Sequence, residues 1–474
     1  MALSLVACAS PGRQSADTRV LPAAELADGR YLDGGHHAEP EWPGRDWWQM
    51  LGDPQLDALV RQALATSPSL QQAQARVTLA LAAAGVTQST LRPQLNVGGK
   101  FSYERFTELQ FIPPPYGGNR FWNNEVALKA SLDLDVWGKG REALKAAQDR
   151  GRLAAAEADE AREVLLATLV RSYIQLALAH DMKALLTHTL AAQAGILDQS
   201  RQRLRAGLGT ELEVAQAESR LPSTRAELEE ADGAIAIARL QLAALCGQGP
   251  AAAETMKTPT LRLDKAVSVP GIVPAHWLGR RPDVLARRWQ VEASGHEVEV
   301  ARRRFYPDIN LSAMAGFVAL DFNHLLSPEA VAYGVAPAIS LPLFDGGRLQ
   351  AGLDARAAER EAAIAAYNDT LLQAARQVAS QLASLRSLAA QGVAAQQAVA
   401  LAGKASNLAR RGLKAGLADY ARVLETDISL LAEQRRLAHL QARRLDALVE
   451  LIRATGAEAD TPEPDQRQAG ARAE

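Results

Sequence analysis

Apolar and polar residues alternate along four short segments of the chain. In "LNVGGKFSY", Leu95, Val97, Gly99, Phe101 and Tyr103 fall on one face, and Asn96, Gly98, Lys100 and Ser102 on the other. In "EVALKASLDLDV", Val126, Leu128, Ala130, Leu132, Leu134 and Val136 alternate with Glu125, Ala127, Lys129, Ser131, Asp133 and Asp135. Ile309, Leu311, Ala313, Ala315 and Phe317 repeat the pattern, as do Tyr333, Val335, Pro337, Ile339 and Leu341. A period of two predicts β-strands, over about 94–107, 123–137, 308–320 and 332–343. Each is long enough to cross a bilayer when tilted, with an apolar face to lipid and a polar face to a lumen. A half-buried soluble sheet shows the same alternation.

Between the strands the pattern changes. No proline occurs between Gly140 and Gly207, nor between Gly347 and Gly416, and Ala, Leu, Glu, Gln and Arg dominate both stretches. These are strong helix formers. They predict helices over 140–206 and 347–415, each roughly 100 Å long at about 1.5 Å per residue. Helices of that length pack along one another as coiled-coil-like neighbours. Gly207 and Gly416 mark reversals, followed by returning helices over Glu211–Leu245 and Tyr420–Ile452.

The whole order occurs twice. Pro68 and Pro282, Pro93 and Pro307, and Asn96 and Asn310 pair at one constant offset. Arg141 then pairs with Arg348, and "RAGLGTELEVAQAES" with "KAGLADYARVLETDI", with small drift. Landmarks kept in order predict an internal duplication. The expected division is an N-terminal tether over 1–46, repeats over 47–250 and 281–455, a linker over 251–280 and a disordered tail over 456–474.

Composition removes several function classes. A formal net charge of -2 gives no footprint for phosphate neutralisation, so no nucleic-acid partner is expected. No uncharged apolar run is long enough for a membrane-spanning helix, because Arg171 interrupts "LLATLVRSYIQLALA". His36 and His37 lie in a Gly-rich stretch, and His180 and His188 lack acidic or cysteine partners at ligand spacing, so no metal or cofactor is expected. "GKGR" lacks the frame of a phosphate-binding loop, and no nucleophile–base–orienter set exists, so the chain is not expected to be an enzyme. Cys246 ends an apolar helix as a small buried residue. Cys8 differs: "LVAC" resembles the bacterial lipobox, whose cysteine is acylated, although the segment before it lacks a basic region and a full apolar core.

Four strands cannot close a water-filled barrel, and open edges are not tolerated in lipid. Membrane strands would therefore be shared between chains. Two hairpins from each of three subunits give twelve strands, within the range known for such barrels.

With these features, "WWQMLGDPQLDALVRQAL", "RRPDVLARRWQVEA", "FYPDINLSA", "SLPLFDGGR" and the two "AGL" turns make the chain similar to the outer-membrane factors of tripartite export systems (TolC-type, NodT-like lipoproteins). The resemblance covers the chain from Trp47 to Arg453. It implies a mainly α fold with transmembrane β: long-helix hairpins forming an α-barrel, four strands per protomer, and a homotrimer with a twelve-stranded outer-membrane barrel. It further implies passive export of drugs or other toxic compounds, a periplasmic adaptor, an inner-membrane pump of the resistance-nodulation-division type, and a lipid anchor at Cys8. A type I protein secretion duct and a structural periplasmic coiled-coil protein are the alternatives.

The resemblance also implies site residues. "DVWGKGR" and "PLFDGGR" become exits from strand to helix, with Gly138, Gly140, Pro342, Gly346 and Gly347 redirecting the chain. Ala206, Gly207, Leu208, Ala415, Gly416 and Leu417 become adaptor-docking tips, with plain helix reversal as the bland alternative. Glu425, Arg422 and Glu213 become candidates for the gate at the periplasmic entrance, or else solvated helix charges. Arg422 stands where some members carry an acid. Lys100, Lys129, Asp133 and Asp135, of mixed sign, are expected along the lumen.

Overall fold

The computed structural model describes residues 19–34, 44, 46–109, 115–264 and 270–456. Cys8, His36, His37 and the tail 457–474 lie outside the described residues. The chain forms two compact units, and each draws segments from both repeats. Among the described residues, the first takes those within 19–20, 75–155 and 286–367; the second takes those within 21–74, 156–285 and 368–456.

In chain order the elements are β1 (Leu32–Asp33), α1 (Pro54–Thr66), α2 (Pro68–Ser89), β2 (Gln94–Arg105), β3 (Arg120–Asp133), α3 (Lys139–Arg205) and α4 (Glu211–Leu245). Then come α5 (Ala251–Glu254), β4 (Val273–Pro274), α6 (Pro282–Arg303), β5 (Asp308–Ala319), β6 (Val331–Ser340), α7 (Arg348–Lys414) and α8 (Tyr420–Ala454). Helices α2 and α6 both have 22 residues, α3 and α7 both have 67, and α4 and α8 both have 35.

The first unit holds an antiparallel sheet in the order β2-β3-β5-β6. Its register gathers the alternating residues on common faces. Val97 pairs with Leu128, Leu128 with Ala315, and Ala315 with Tyr333. Since paired residues project to the same side, the apolar positions of all four strands share one face. Val97, Leu128 and Tyr333 remain exposed, at 75%, 45% and 84%. Among the described residues no helix of the unit covers them. Strands β2 and β6 are the edges.

Strand β3 starts at Arg120, earlier than alternation predicts, and stops at Asp133 rather than 137. Leu134 still donates its N–H to Ile309 O at 2.9 Å, but Asp135 then turns to cap α3. Aromatic side chains cluster at both ends of the sheet. Phe101 and Trp122 contact Phe322 at 5.7 and 5.1 Å between ring centroids, and Tyr103 contacts Trp122 at 5.3 Å. At the other end Trp137 stacks on Tyr306.

The second unit contains α1, the later part of α3, α4, the later part of α7, and α8. Helix α1 starts at Pro54, whose missing N–H is no loss at a first helical position. The Asp53 carboxylate accepts Gln55 N–H at 2.9 Å. Leu166, Leu169, Ile174, Leu242, Leu371, Leu382, Leu451 and Ile452 fill the core and are almost wholly buried. Nearer the reversals, Ala192, Ile196, Leu197, Ala217, Leu221 and Leu424 form a smaller core that joins α3 and α4 to α8. Cys246 is buried, as its apolar setting implies.

One expectation fails here. Residues 19–34 do not behave as a tether: Leu21 N–H donates to Asn368 Oδ1 at 2.9 Å, and Leu32–Asp33 pairs in parallel with Val273–Pro274. In the described residues of the expected linker, 251–264 and 270–280, Val273, Trp277 and Leu278 are buried. Backbone polar groups need partners when buried, and the short β1–β4 ladder supplies them.

Candidate functional site

The candidate site has three parts: strand exits, hairpin tips, and charges on the first turns of the returning helices. Each is set by how a helix end satisfies its free backbone groups.

At the first exit Gly138 has a φ of 78°. At the second, Gly346 and Gly347 have φ of 65° and 88°. L-residues rarely adopt these angles, so the backbone favours glycine at all three positions. Gly140 has a different reason to be glycine. It lies within α3, and a Cβ there would run into Leu91 Cδ2, so close approach explains it. Pro342 lies two residues past the end of β6, where a missing N–H is harmless.

Both exits are held by an aspartate. Asp135 accepts the N–H groups of Gly140 and Arg141, each at 2.9 Å, and pairs with Arg141 Nε at 3.3 Å. It is a helix cap, not the expected lumen charge. Asp345 accepts Leu349 N–H at 2.8 Å and Gly347 N–H at 3.0 Å, and these bonds hold its carboxyl below the usual range. Among the other expected lumen charges, Lys129 pairs with Glu125 at 2.7 Å and Asp133 accepts Asn310 Nδ2 at 2.5 Å.

The two tips have the same geometry. Gly207 (φ 74°) donates to Leu204 O and Leu208 donates to Arg203 O, at 3.0 and 2.9 Å. Gly416 (φ 70°) donates to Leu413 O and Leu417 to Gly412 O, at 3.0 and 2.8 Å. This pair of bonds is the Schellman motif, in which the residue after the glycine packs on the third residue from the helix end. Here that residue is Arg203 or Gly412, and neither offers an apolar partner. Leu208 and Leu417 stand 72% and 86% exposed. Ala206 and Ala415 beside them are exposed too.

Past the tips, Thr210 and Glu213 form a reciprocal cap, each side chain meeting the other's N–H at 3.3 Å. Glu213 is therefore engaged in capping the start of α4. Asp419 caps α8 through Arg422 N–H at 2.9 Å. Arg203 reaches across, donating to Leu208 O at 3.2 Å and lying 3.9 Å from Asp419 Oδ2. Arg422 and Glu425 face each other at 3.5 Å, with side chains 68% and 54% exposed. Such a pair contributes only a few tenths of a kcal/mol within one chain. Asp427, two residues on, is instead committed to Ser406 at 2.5 Å and Arg410 at 2.9 Å, tying α7 to α8.

Arg203, Asp345, Asp419 and Asp427 were not singled out by sequence reasoning. Asp419 directly before a helix and the Thr210–Glu213 spacing are readable capping signals. Arg203 and Asp427 carry no such local sign.

The chain matches the family described as "Outer membrane efflux protein" over 59–248 and 273–457. It is 37% identical to the fusaric acid resistance protein FusA of Burkholderia cepacia over 358 residues, covering 75% of this chain and 67% of that one. It is 30% identical to the multidrug resistance outer membrane protein MdtQ of Escherichia coli O6:H1, covering 88% of each. The structure of the outer membrane protein VceC from Vibrio cholerae superposes with a TM-score of 0.81 at 33% identity, covering 88% of this chain and 100% of that one. The outer-membrane channel OprN superposes with a TM-score of 0.80 at 25% identity, over 95% and 99%. The chain belongs to the outer membrane efflux protein family.

Proposed function

We propose that this efflux channel is the outer-membrane duct of a tripartite export system and works as a homotrimer. The observation that carries the reading is the sheet of the first unit. Its apolar face is exposed and its edges, β2 and β6, have partners on one side only. In hydrocarbon each unpaired N–H or C=O costs several kcal/mol, so edge must meet edge between copies. Three copies close twelve strands. Native mass spectrometry of the detergent-extracted protein tests this: three chains per particle are expected, and a stable monomer would end the proposal.

Leu208 and Leu417 then serve as knobs for a periplasmic adaptor, and an inner-membrane pump of the resistance-nodulation-division type supplies the energy. Replacing both leucines with Asp should abolish export while leaving membrane insertion intact. Arg422 and Glu425, brought together around a three-fold axis, would form the closed entrance and set ion preference. Glu425→Ala should raise single-channel conductance in planar bilayers; unchanged conductance and selectivity would remove Glu425 from the gate. Glu213, already engaged in capping, is the weakest of the three gate candidates.

The cargo reading rests on the names of relatives, one a fusaric acid resistance protein and one a multidrug resistance outer membrane protein. Small organic toxicants are the class they support. Acylation of Cys8 is proposed from its lipobox resemblance, and palmitate labelling lost in Cys8→Ser would establish it. The paired repeats 47–250 and 281–455 are proposed as products of duplication, supported by the matched helix lengths.

A further inference from the structure

Below the first strand exit, α3 and α6 are joined by a charge cluster with no part in the tips or the entrance. His296 on α6 lies between two acids of α3. Its Nδ1 is 2.6 Å from Glu142 Oε2, and its Nε2 is 3.5 Å from Asp149 Oδ2. The carboxyl side chains are only 8% and 6% exposed, and the imidazole 28%. A neutral imidazole has one N–H and one lone pair. Facing two carboxylates, it would serve one and repel the other. Only the imidazolium, hydrogen-bonded to Glu142 and ion-paired with Asp149, is attracted to both.

The cluster reaches the exit itself. Glu142 Oε1 lies 3.2 Å from Arg303 Nη2, and Arg303 Nη1 donates to Gly138 O at 2.6 Å. A proton on His296 is thus linked, through Glu142 and Arg303, to the glycine that turns the chain from strand to helix. The other charges around the imidazole are Lys145, 3.0 Å from Glu142, and Arg152, 2.9 Å from Asp149, with Glu292 also acting on Asp149. Next along α6, Glu297 is taken by Arg150 of α3 and Arg356 of α7.

We propose that His296 is a proton-dependent latch. Protonated, it ties α3 to α6 across Glu142 and Asp149 and steadies the exit at Gly138; deprotonated, it leaves that joint loose. The surroundings agree. Burial would raise the Glu142 carboxyl, but hydrogen bonds from Lys145 and His296, with the charges of Lys145 and Arg303, hold it low as an anion. At Asp149 burial prevails over Arg152 and His296, so its carboxyl is pushed up. Asp149 is therefore the rival seat for the proton, and the experiment must separate the two.

Hydrogen exchange of the full chain in lipid nanodiscs does so, read by mass spectrometry between about pH 5.5 and 8.5. After correction for intrinsic rates, protection across 138–152 should fall with rising pH, by up to about tenfold per pH unit for one proton. His296→Gln should sit at the loosened level throughout, and Asp149→Asn should keep a pH response. A flat wild-type profile overturns the latch. So does a response that survives in His296→Gln and vanishes in Asp149→Asn, which would seat the proton on the aspartate. Peptides from α4 serve as the folding control in every variant.

Discussion

Trp137 stacks on Tyr306 with ring centroids 5.2 Å apart and planes 22° from parallel, and its indole N–H donates to Pro307 O at 2.8 Å. One residue follows β3 and the other precedes β5, so the pair clamps the exit of one hairpin to the start of the next. An aromatic pair is worth about 0.5–1.5 kcal/mol beyond its buried area, and the hydrogen bond about 1 kcal/mol. Trp137→Ala should lose about 2 kcal/mol, and Trp137→Phe, which keeps the stack, about half of that. Thermal unfolding in detergent measures the difference; equal melting of the two variants would assign the whole effect to the hydrogen bond.

Gly316 and Gly334 look alike in sequence but predict opposite outcomes. Gly316 pairs with Ala127 on the seam between β3 and β5, and a Cβ there would strike Val126 O and the Ala127 backbone. Those atoms belong to a ladder and cannot swing away. Gly334 on β6 has nothing within 4 Å of the same position. Gly316→Ala should part the two hairpins and reduce the folded fraction, read as heat-modifiable migration on a gel. Gly334→Ala should migrate as wild type, with the slight gain that a lost glycine brings to a strand.

The long elements were legible because their signals are local. Absence of proline with a helix-forming composition placed α3 and α7 within a residue at each end. Helix α4 spans Glu211–Leu245 even though Pro222 lies inside it. There Leu221 and Thr224 are buried against neighbours, and packing outweighs the missing donor. Alternation gave the sheet's faces, as the Val97–Leu128–Ala315–Tyr333 row confirms. What stayed hidden was the use of each polar group. Asp135 read as a lumen charge because strand spacing reached it, whereas its carboxylate is drawn to free N–H groups of the next helix. Glu213 read as a gate charge although Thr210 stands three residues before it. His296 meets Glu142 from 154 residues away, and no periodicity announces such a meeting.

Arg281, in the "RRPDV" stretch, is 3% exposed and spends its whole guanidinium on partners. It forks onto Asp283 at 3.0 and 2.7 Å, donates to Gln377 Oε1 at 2.9 Å, and caps the end of α8 through Ala454 O at 3.0 Å. Removing one partner of a buried pair leaves the other charge uncompensated, at about 3–5 kcal/mol. Arg281→Ala should lower stability by roughly 3 kcal/mol, since Asp283 is partly solvated. Arg281→Lys should recover little of it, because an ammonium cannot fork. Chemical denaturation checks both; full rescue by lysine would show that charge alone matters.

Asp53 gives the second unit an acid-sensitive joint. Its side chain caps α1 through Gln55 N–H at 2.9 Å and accepts Thr260 N–H at 2.7 Å, so it ties α1 to the segment after α5. Burial alone would raise its carboxyl. The hydrogen bonds from Tyr173, Gln55 and Thr260 together prevail and hold it below the usual value. Tyr173, wholly buried, is pushed the other way, by burial first and then by the Asp53 charge. A carboxyl depressed in the folded state stabilises fully above its unfolded value of about 3.9, and that contribution drains away as pH falls through the folded value. Asp53→Asn should therefore melt lower than wild type at neutral pH and lose less on acidification, so the two curves converge below about pH 4. Melting temperatures followed by circular dichroism across that range decide it. Parallel curves would mean that the acid limb belongs to other carboxylates and that Asp53 acts as a neutral acceptor could.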